Sequence, residues 1–152
     1  MATGCPQILV VDDEPHLCSG LRRVLEKEGY EVTTATDGET ALKLAREKEP
    51  DIVLLDLMMP GMDGREVCRR LREVTTTTQV IYFTARADPA GPFKSKELRR
   101  EAEALIAKPA TSKRILSKIS SVLRRARQQP GERQQLARHD ATDQRNSLPA
   151  GH

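Results

Sequence analysis

Apolar positions along the chain come in short runs separated by helical stripes. Ile8, Leu9, Val10 and Val11 form a near-continuous run within Gln7 to Asp12. Such a run reads as a strand buried on both faces, as in a parallel sheet. Pro15 then stands where a first helical turn tolerates proline. Leu17, Leu21, Val24 and Leu25 follow with helical spacing, and Gly29 predicts the helix end. Tyr30 to Ala35 alternates and is rich in β-branched residues, predicting a second strand. A second helix starts at Asp37 or Gly38 and carries Ala41, Leu42 and Ala45, with Pro50 beyond it. Asp51 to Asp56 reads as a third buried strand, followed by a turn-rich stretch from Met58 to Gly64. Val67, Cys68, Leu71 and Val74 give the next helix its stripe, and Thr75 to Thr78 reads as a loop. Gln79 to Thr84 and Leu105 to Lys108 predict two more strands. A last helix is capped by Thr111 or Ser112 and striped by Ile115, Leu116, Ile119, Val122 and Leu123.

This alternation predicts an α/β fold, a doubly wound sheet of five strands with right-handed crossovers and helices on both faces. The stretch from Arg86 to Ala104 is the weakest part of the pattern. Pro89, Gly91 and Pro92 break any helix there, and Leu98, Ala102 and Leu105 are the apolar partners available. A short, highly charged and loosely docked fourth helix is expected. Beyond Gln128 the periodicity is lost among Gln, Arg, Asp, Asn, Pro and Gly, so residues 128–152 are expected to form a disordered polar tail.

Composition adds limits. The 152 residues, 38% apolar, suit one domain plus a tail. No run is long and apolar enough to predict a membrane span, and Met1 to Gln7 has no signal-peptide pattern, so a cytoplasmic protein is expected. Cys5, Cys18 and Cys68 are widely spaced and read as reduced thiols, with Cys18 and Cys68 at core or boundary positions. The net charge of +3 is concentrated late in the chain. Without aromatic interleaving or a helix-turn-helix pattern, this basic end reads as solvated surface, and nucleic acid is not an expected partner.

The candidate chemistry lies at the strand ends. Asp12 and Asp13 follow the first strand, Asp56 ends the third, Thr84 the fourth and Lys108 the fifth. Ligands of open α/β sheets bind beyond the carboxyl ends of strands, near the switch in strand order. If the first and third strands are neighbours, three carboxylates converge and require a cation. Their hard oxygen ligands suit Mg²⁺, with Mn²⁺ as an alternative. Lys108 supplies a mobile point charge for a phosphoryl oxygen and Thr84 a hydroxyl donor. Each residue alone has an ordinary structural explanation, such as a helix cap, a surface lysine or a strand former. Their coincidence at successive strand ends is the specific signal.

The segments ILVVDDEP at 8–15, DIVLLDLMMPGMDG at 51–64, FTA at 83–85 and KPA at 108–110 resemble the receiver domains of two-component response regulators, the CheY-like family. The resemblance covers about residues 6–127. It implies a flavodoxin-like sheet of order 2-1-3-4-5 with five helices. It implies that Asp56 accepts a phosphoryl group from a sensor histidine kinase or phosphotransfer protein. Asp13, Asp56 and the Met58 carbonyl would hold Mg²⁺, with Asp12 acting largely through water. Lys108 and Thr84 would bind the phosphoryl group, Met58 and Arg86 would flank it, and Lys108–Pro109 would be cis. Output would pass by protein contact through the face formed by helix four, strand five and helix five. Such a domain is a regulatory phospho-acceptor rather than an enzyme, apart from its own phosphorylation and dephosphorylation. The alternative is an interaction module that works without phosphorylation. A phosphatase with an aspartyl nucleophile would need a substrate domain for which this chain has no room.

Two departures stand out. The family's usual aromatic three positions before the lysine is Leu105 here, and its usual Gly-Ala-Asp is Glu101-Ala102-Glu103. These changes predict a different end to the fourth helix. They also predict a switch that orders or loosens residues 86–104 instead of turning an aromatic ring.

Overall fold

A computed structural model describes residues 4–85 and 95–128. Arg86, the breaker residues 89–92 and the stretch expected to form a tail, beyond Gln128, lie outside the described residues. The chain alternates β1 (Gln7–Val11), α1 (Pro15–Lys27), β2 (Glu31–Ala35), α2 (Gly38–Lys48), β3 (Ile52–Leu55), α3 (Gly64–Val74), β4 (Gln79–Thr84), α4 (Ser95–Glu101), β5 (Ala104–Ala107) and α5 (Ser112–Gln128). All strand pairings are parallel and the order is β2-β1-β3-β4-β5, as the resemblance implies.

The continuous apolar runs have the expected cause. Side chains of a strand alternate between faces, and here both faces are covered. Leu9, Val11, Val53, Leu55, Val80 and Tyr82 pack toward Ala41, Leu42, Val67, Leu71 and Leu98. Ile8, Val10, Ile52, Leu54, Ile81, Phe83 and Ile106 pack toward Leu21, Leu25, Ile115, Ile119 and Val122. Thus α2, α3 and α4 cover one face while α1 and α5 cover the other. Each fully buried Leu or Ile side chain contributes roughly 1.5–3 kcal/mol of transfer free energy.

Helix ends follow local chemistry. Pro15 opens α1, and Gly29 takes φ 94° just after that helix, a left-handed conformation glycine adopts without steric penalty. Asp37 caps α2 by accepting from Thr40 N at 2.8 Å, and Asp63 caps α3 by accepting from Glu66 N at 3.0 Å. Thr111 Oγ1 accepts from Arg114 N at 3.1 Å, so Thr111 is the side chain that caps α5.

Several expectations need correction. The fifth strand begins one residue earlier than its apolar run, at Ala104, and ends before Lys108. Val74, the last residue of α3, is 37% exposed rather than part of the buried stripe. Gln128 belongs to α5 rather than to a tail. The fourth helix is short and charged as expected, but it is not loosely docked. Leu98 is fully buried, Ala102 is nearly so, and Glu101 is tied to α3 and β4. Leu105 is half-buried, with its backbone opposite Tyr82. Cys18 and Cys68 are both buried.

Candidate functional site

Sheet register builds the site. Val11 pairs with Leu55, so Asp12 and Asp56 leave neighbouring strands at one level. The two segments stay joined beyond that pair, with Asp56 N donating to the Val11 carbonyl at 2.9 Å. Asp12 N donates to the Ala35 carbonyl at 3.1 Å, which fixes the first acid against β2. On the other side Thr84 pairs with Ala107, and Lys108 N donates to the Thr84 carbonyl at 2.9 Å. The residues expected from the strand ends therefore meet along one edge of the sheet.

Carboxylate oxygens of Asp12, Asp13 and Asp56 all lie within 4.8 Å of one another. Asp12 and Asp56 are buried, and Asp13 is exposed at the mouth. Asp12 Oδ1 accepts from Glu14 N at 3.0 Å, and Asp56 Oδ1 accepts from Met58 N at 3.2 Å. Lys108 Nζ donates to Asp12 Oδ2 at 2.7 Å and stands 3.8 Å from Asp56 Oδ1. Its ammonium lies 5.2 Å from the centroid of the Phe83 ring, where the negative π face favours a cation. Lys108–Pro109 is cis. Thr84 is fully buried beside the site, while Met58 is 41% exposed at its rim.

The electrostatics make the Asp56 carboxyl hard to ionise without a nearby cation. Burial, and then the Asp12 carboxylate, push the Asp56 carboxyl above its ordinary value. The Met58 N–H and Lys108 oppose that rise, while exposed Asp13 adds to it. Among the described residues three carboxylates face one lysine, which leaves an excess of negative charge, and their oxygens are the donor set that hard divalent cations prefer. The donor set thus fits Mg²⁺ in both charge and chemistry.

A second polar centre escaped sequence reasoning. Glu101, Arg65, Arg72, Cys68 and Tyr82 line a cleft of about 560 Å³ between α3 and the end of α4. Tyr82 is completely buried, and its hydroxyl donates to Glu101 Oε1 at 2.9 Å. Burial, and then Cys68 and Glu101, push the Tyr82 phenol upward, so it stays a donor. The replacement of glycine by Glu101 was the available signal, but nothing in the spacing identified its partners.

The family profile for the response regulator receiver domain matches residues 8–120. The alkaline phosphatase synthesis transcriptional regulatory protein PhoP of Bacillus subtilis is 38% identical over 120 residues, covering 79% of this chain and 49% of that protein. The chain therefore spans about half the length of this curated relative. A CheY-like response regulator receiver domain protein from Methanospirillum hungatei superposes with a TM-score of 0.76 at 27% identity, covering 83% of this chain and 99% of that one. Response regulator protein TrrA of Thermotoga maritima, solved in complex with Mg²⁺-BeF, superposes with a TM-score of 0.68 at 33% identity, covering 77% and 98%. Among the described residues no helix is long and apolar enough to cross a membrane. By its match, its sheet order and the company its strand-end residues keep, the chain belongs to the response regulator receiver domain family of two-component systems.

Proposed function

We propose that Asp56 accepts a phosphoryl group from a phosphohistidine of a sensor kinase or phosphotransfer protein, and that the altered surface then signals by protein contact. The observation that carries this reading is the placement of one buried carboxylate, Asp56, between a second acid and a lysine at the carboxyl edge of the sheet. In the transfer, an ionised Asp56 oxygen attacks phosphorus while the P–N bond to the donor imidazole breaks. The imidazole leaves with the electron pair, and an acyl phosphate remains. Lys108 is near enough to follow the charge from Asp12 to a phosphoryl oxygen. Thr84 supplies a hydroxyl beside it, and Met58 N–H orients the Asp56 carboxylate. Asp12, Asp13 and Asp56, with the Met58 carbonyl, would hold Mg²⁺, which when bound offsets the charge of acids and phosphate together. Positioning and charge stabilisation thus do most of the work.

In this reading residues 6–127 are the receiver, acting in the cytoplasm, and its output partner meets α4, β5 and α5. Its catalytic repertoire is limited to self-phosphorylation and loss of the phosphoryl group at Asp56. The matched relative is a transcriptional regulator of about twice the matched length. Contact with nucleic acid through an output domain is compatible with this reading, although the sequence pattern does not suggest it. A direct test incubates the protein with Mg²⁺ and acetyl phosphate and weighs it by mass spectrometry. A phosphoryl adduct is expected on the wild type, absent from Asp56→Asn and absent with chelator. An unmodified wild type would instead favour an interaction module that works without phosphorylation.

A further inference from the structure

One carboxylate fastens the end of α4. Glu101 Oε1 accepts from Arg65 Nε at 2.9 Å and from the Tyr82 hydroxyl at 2.9 Å, and its Oε2 accepts from Arg65 Nη2. The backbone is held as well, the Glu101 carbonyl accepting from Arg72 Nη2 at 2.8 Å and from Cys68 Sγ at 3.6 Å. Thus Glu101 binds the last turn of α4 to α3 and to β4 at once.

Both partners lead back to Asp56. Arg65 follows Gly64, the first residue of α3. A Cβ at Gly64 would lie 2.2 Å from the Asp56 carbonyl oxygen and 2.7 Å from Leu57 Cα, and Gly64 N donates to the Leu57 carbonyl at 3.1 Å. Hence α3 starts directly on the backbone of the site, with no side chain between them to absorb a shift. A displacement at 56–57 moves Gly64, then Arg65. Its two-pronged fork to a carboxylate tolerates little change in geometry. Tyr82, the other partner, shares a face of β4 with Thr84 by the period of two. Leu105, opposite Tyr82 in register, has no polar side-chain atom with which to compete for Glu101.

We propose that Glu101 is a positioning residue that couples the state of Asp56 to the placement of α4, through Arg65 on α3 and Tyr82 on β4. The inference rests on the phospho-acceptor reading above and gives it a route to the output face. In a chain with Leu105, a shared carboxylate takes the place of a turning ring. Coupling is reciprocal, so a weakened hub changes binding at Asp56 as well as the response of α4.

The test adds Mg²⁺ and beryllofluoride, a phosphoryl mimic, to the wild type, Glu101→Gln and Tyr82→Phe, and follows backbone amides by NMR. Tyr82→Phe removes one hydroxyl and leaves the Arg65–Glu101 pair, which guards against an unfolded variant. In the wild type, amides at 57–58, 64–66 and 98–103 are expected to shift together. In both variants 57–58 should still shift, 98–103 should lose most of its response, and the mimic's affinity should change about fivefold or more. Unaltered shifts at 98–103 with unaltered affinity in both variants would overturn the role of Glu101. So would a wild type in which 57–58 responds and 98–103 does not. A wild type silent at 57–58 overturns the phospho-acceptor reading itself, an outcome distinct from the other two.

Discussion

Lys108 Nζ donates to Asp12 at 2.7 Å while standing 3.8 Å from Asp56, so among the described residues the cation facing the acid cluster is bound to Asp12 and only approaches Asp56. Removing that charge leaves Asp12 and Asp56 to repel each other in a buried setting. Lys108→Met is expected to raise the Asp56 carboxyl further and to slow phosphoryl uptake from acetyl phosphate by about tenfold or more. The rate of adduct formation by mass spectrometry across pH checks both effects.

Asp56 itself opposes folding when ionised. Its carboxyl is raised in the folded state by burial first, so its contribution to stability is full below the ordinary value of 3.8 and is lost as pH rises through the folded value. Asp56→Asn should therefore be more stable than the wild type at neutral pH without metal, by about 1 kcal/mol, with the advantage shrinking as pH falls toward that of the free acid. Adding Mg²⁺ should stabilise the wild type and leave the variant nearly unchanged. Urea midpoints at several pH values, with and without Mg²⁺, measure this.

Two glycines that each open a helix, Gly38 in α2 and Gly64 in α3, should respond differently to alanine. At Gly64 the new Cβ meets backbone, the Asp56 carbonyl at 2.2 Å, and backbone cannot swing aside. At Gly38 it meets the Met62 and Val67 side chains at 2.9 Å, and methionine can rotate away. Gly64→Ala is expected to cost about 2–3 kcal/mol, and Gly38→Ala distinctly less. Denaturant titrations of the two variants give the comparison.

Leu98 is the fully buried anchor of a helix of seven residues. Leu98→Ala should cost about 2–4 kcal/mol if the whole domain unfolds as one unit. Hydrogen exchange would show α4 opening first, because few other apolar side chains hold it.

The strand ends were legible because chemistry and periodicity coincided there. Asp12, Asp56, Thr84 and Lys108 each close or follow a short apolar run, and parallel pairing brings such positions together. The Glu101 hub was not legible, because its bonds reach 36 residues to Arg65 and 19 to Tyr82, and arginine and glutamate on short helices resemble ordinary solvated charge. The Thr75–Thr78 run was rightly read as a loop, but its buried role was hidden. Thr78 Oγ1 donates to the Pro50 carbonyl at 2.7 Å, a bond to the turn before β3 that no local pattern encodes. Val74 keeps the helical spacing of its stripe yet is 37% exposed at the last position of α3, since spacing alone does not say how far a neighbouring surface extends.

The Lys108–Asp12 bond joins residues 96 positions apart. A ribosome delivers all three acids within the first third or so of the chain, whereas their lysine comes much later and reaches them only after β5 has joined the sheet edge. A nascent chain that stops before residue 108 carries the acid cluster without the lysine that pairs with it. The charge balance of the strand-end cluster is therefore completed only late in the synthesis of this fold.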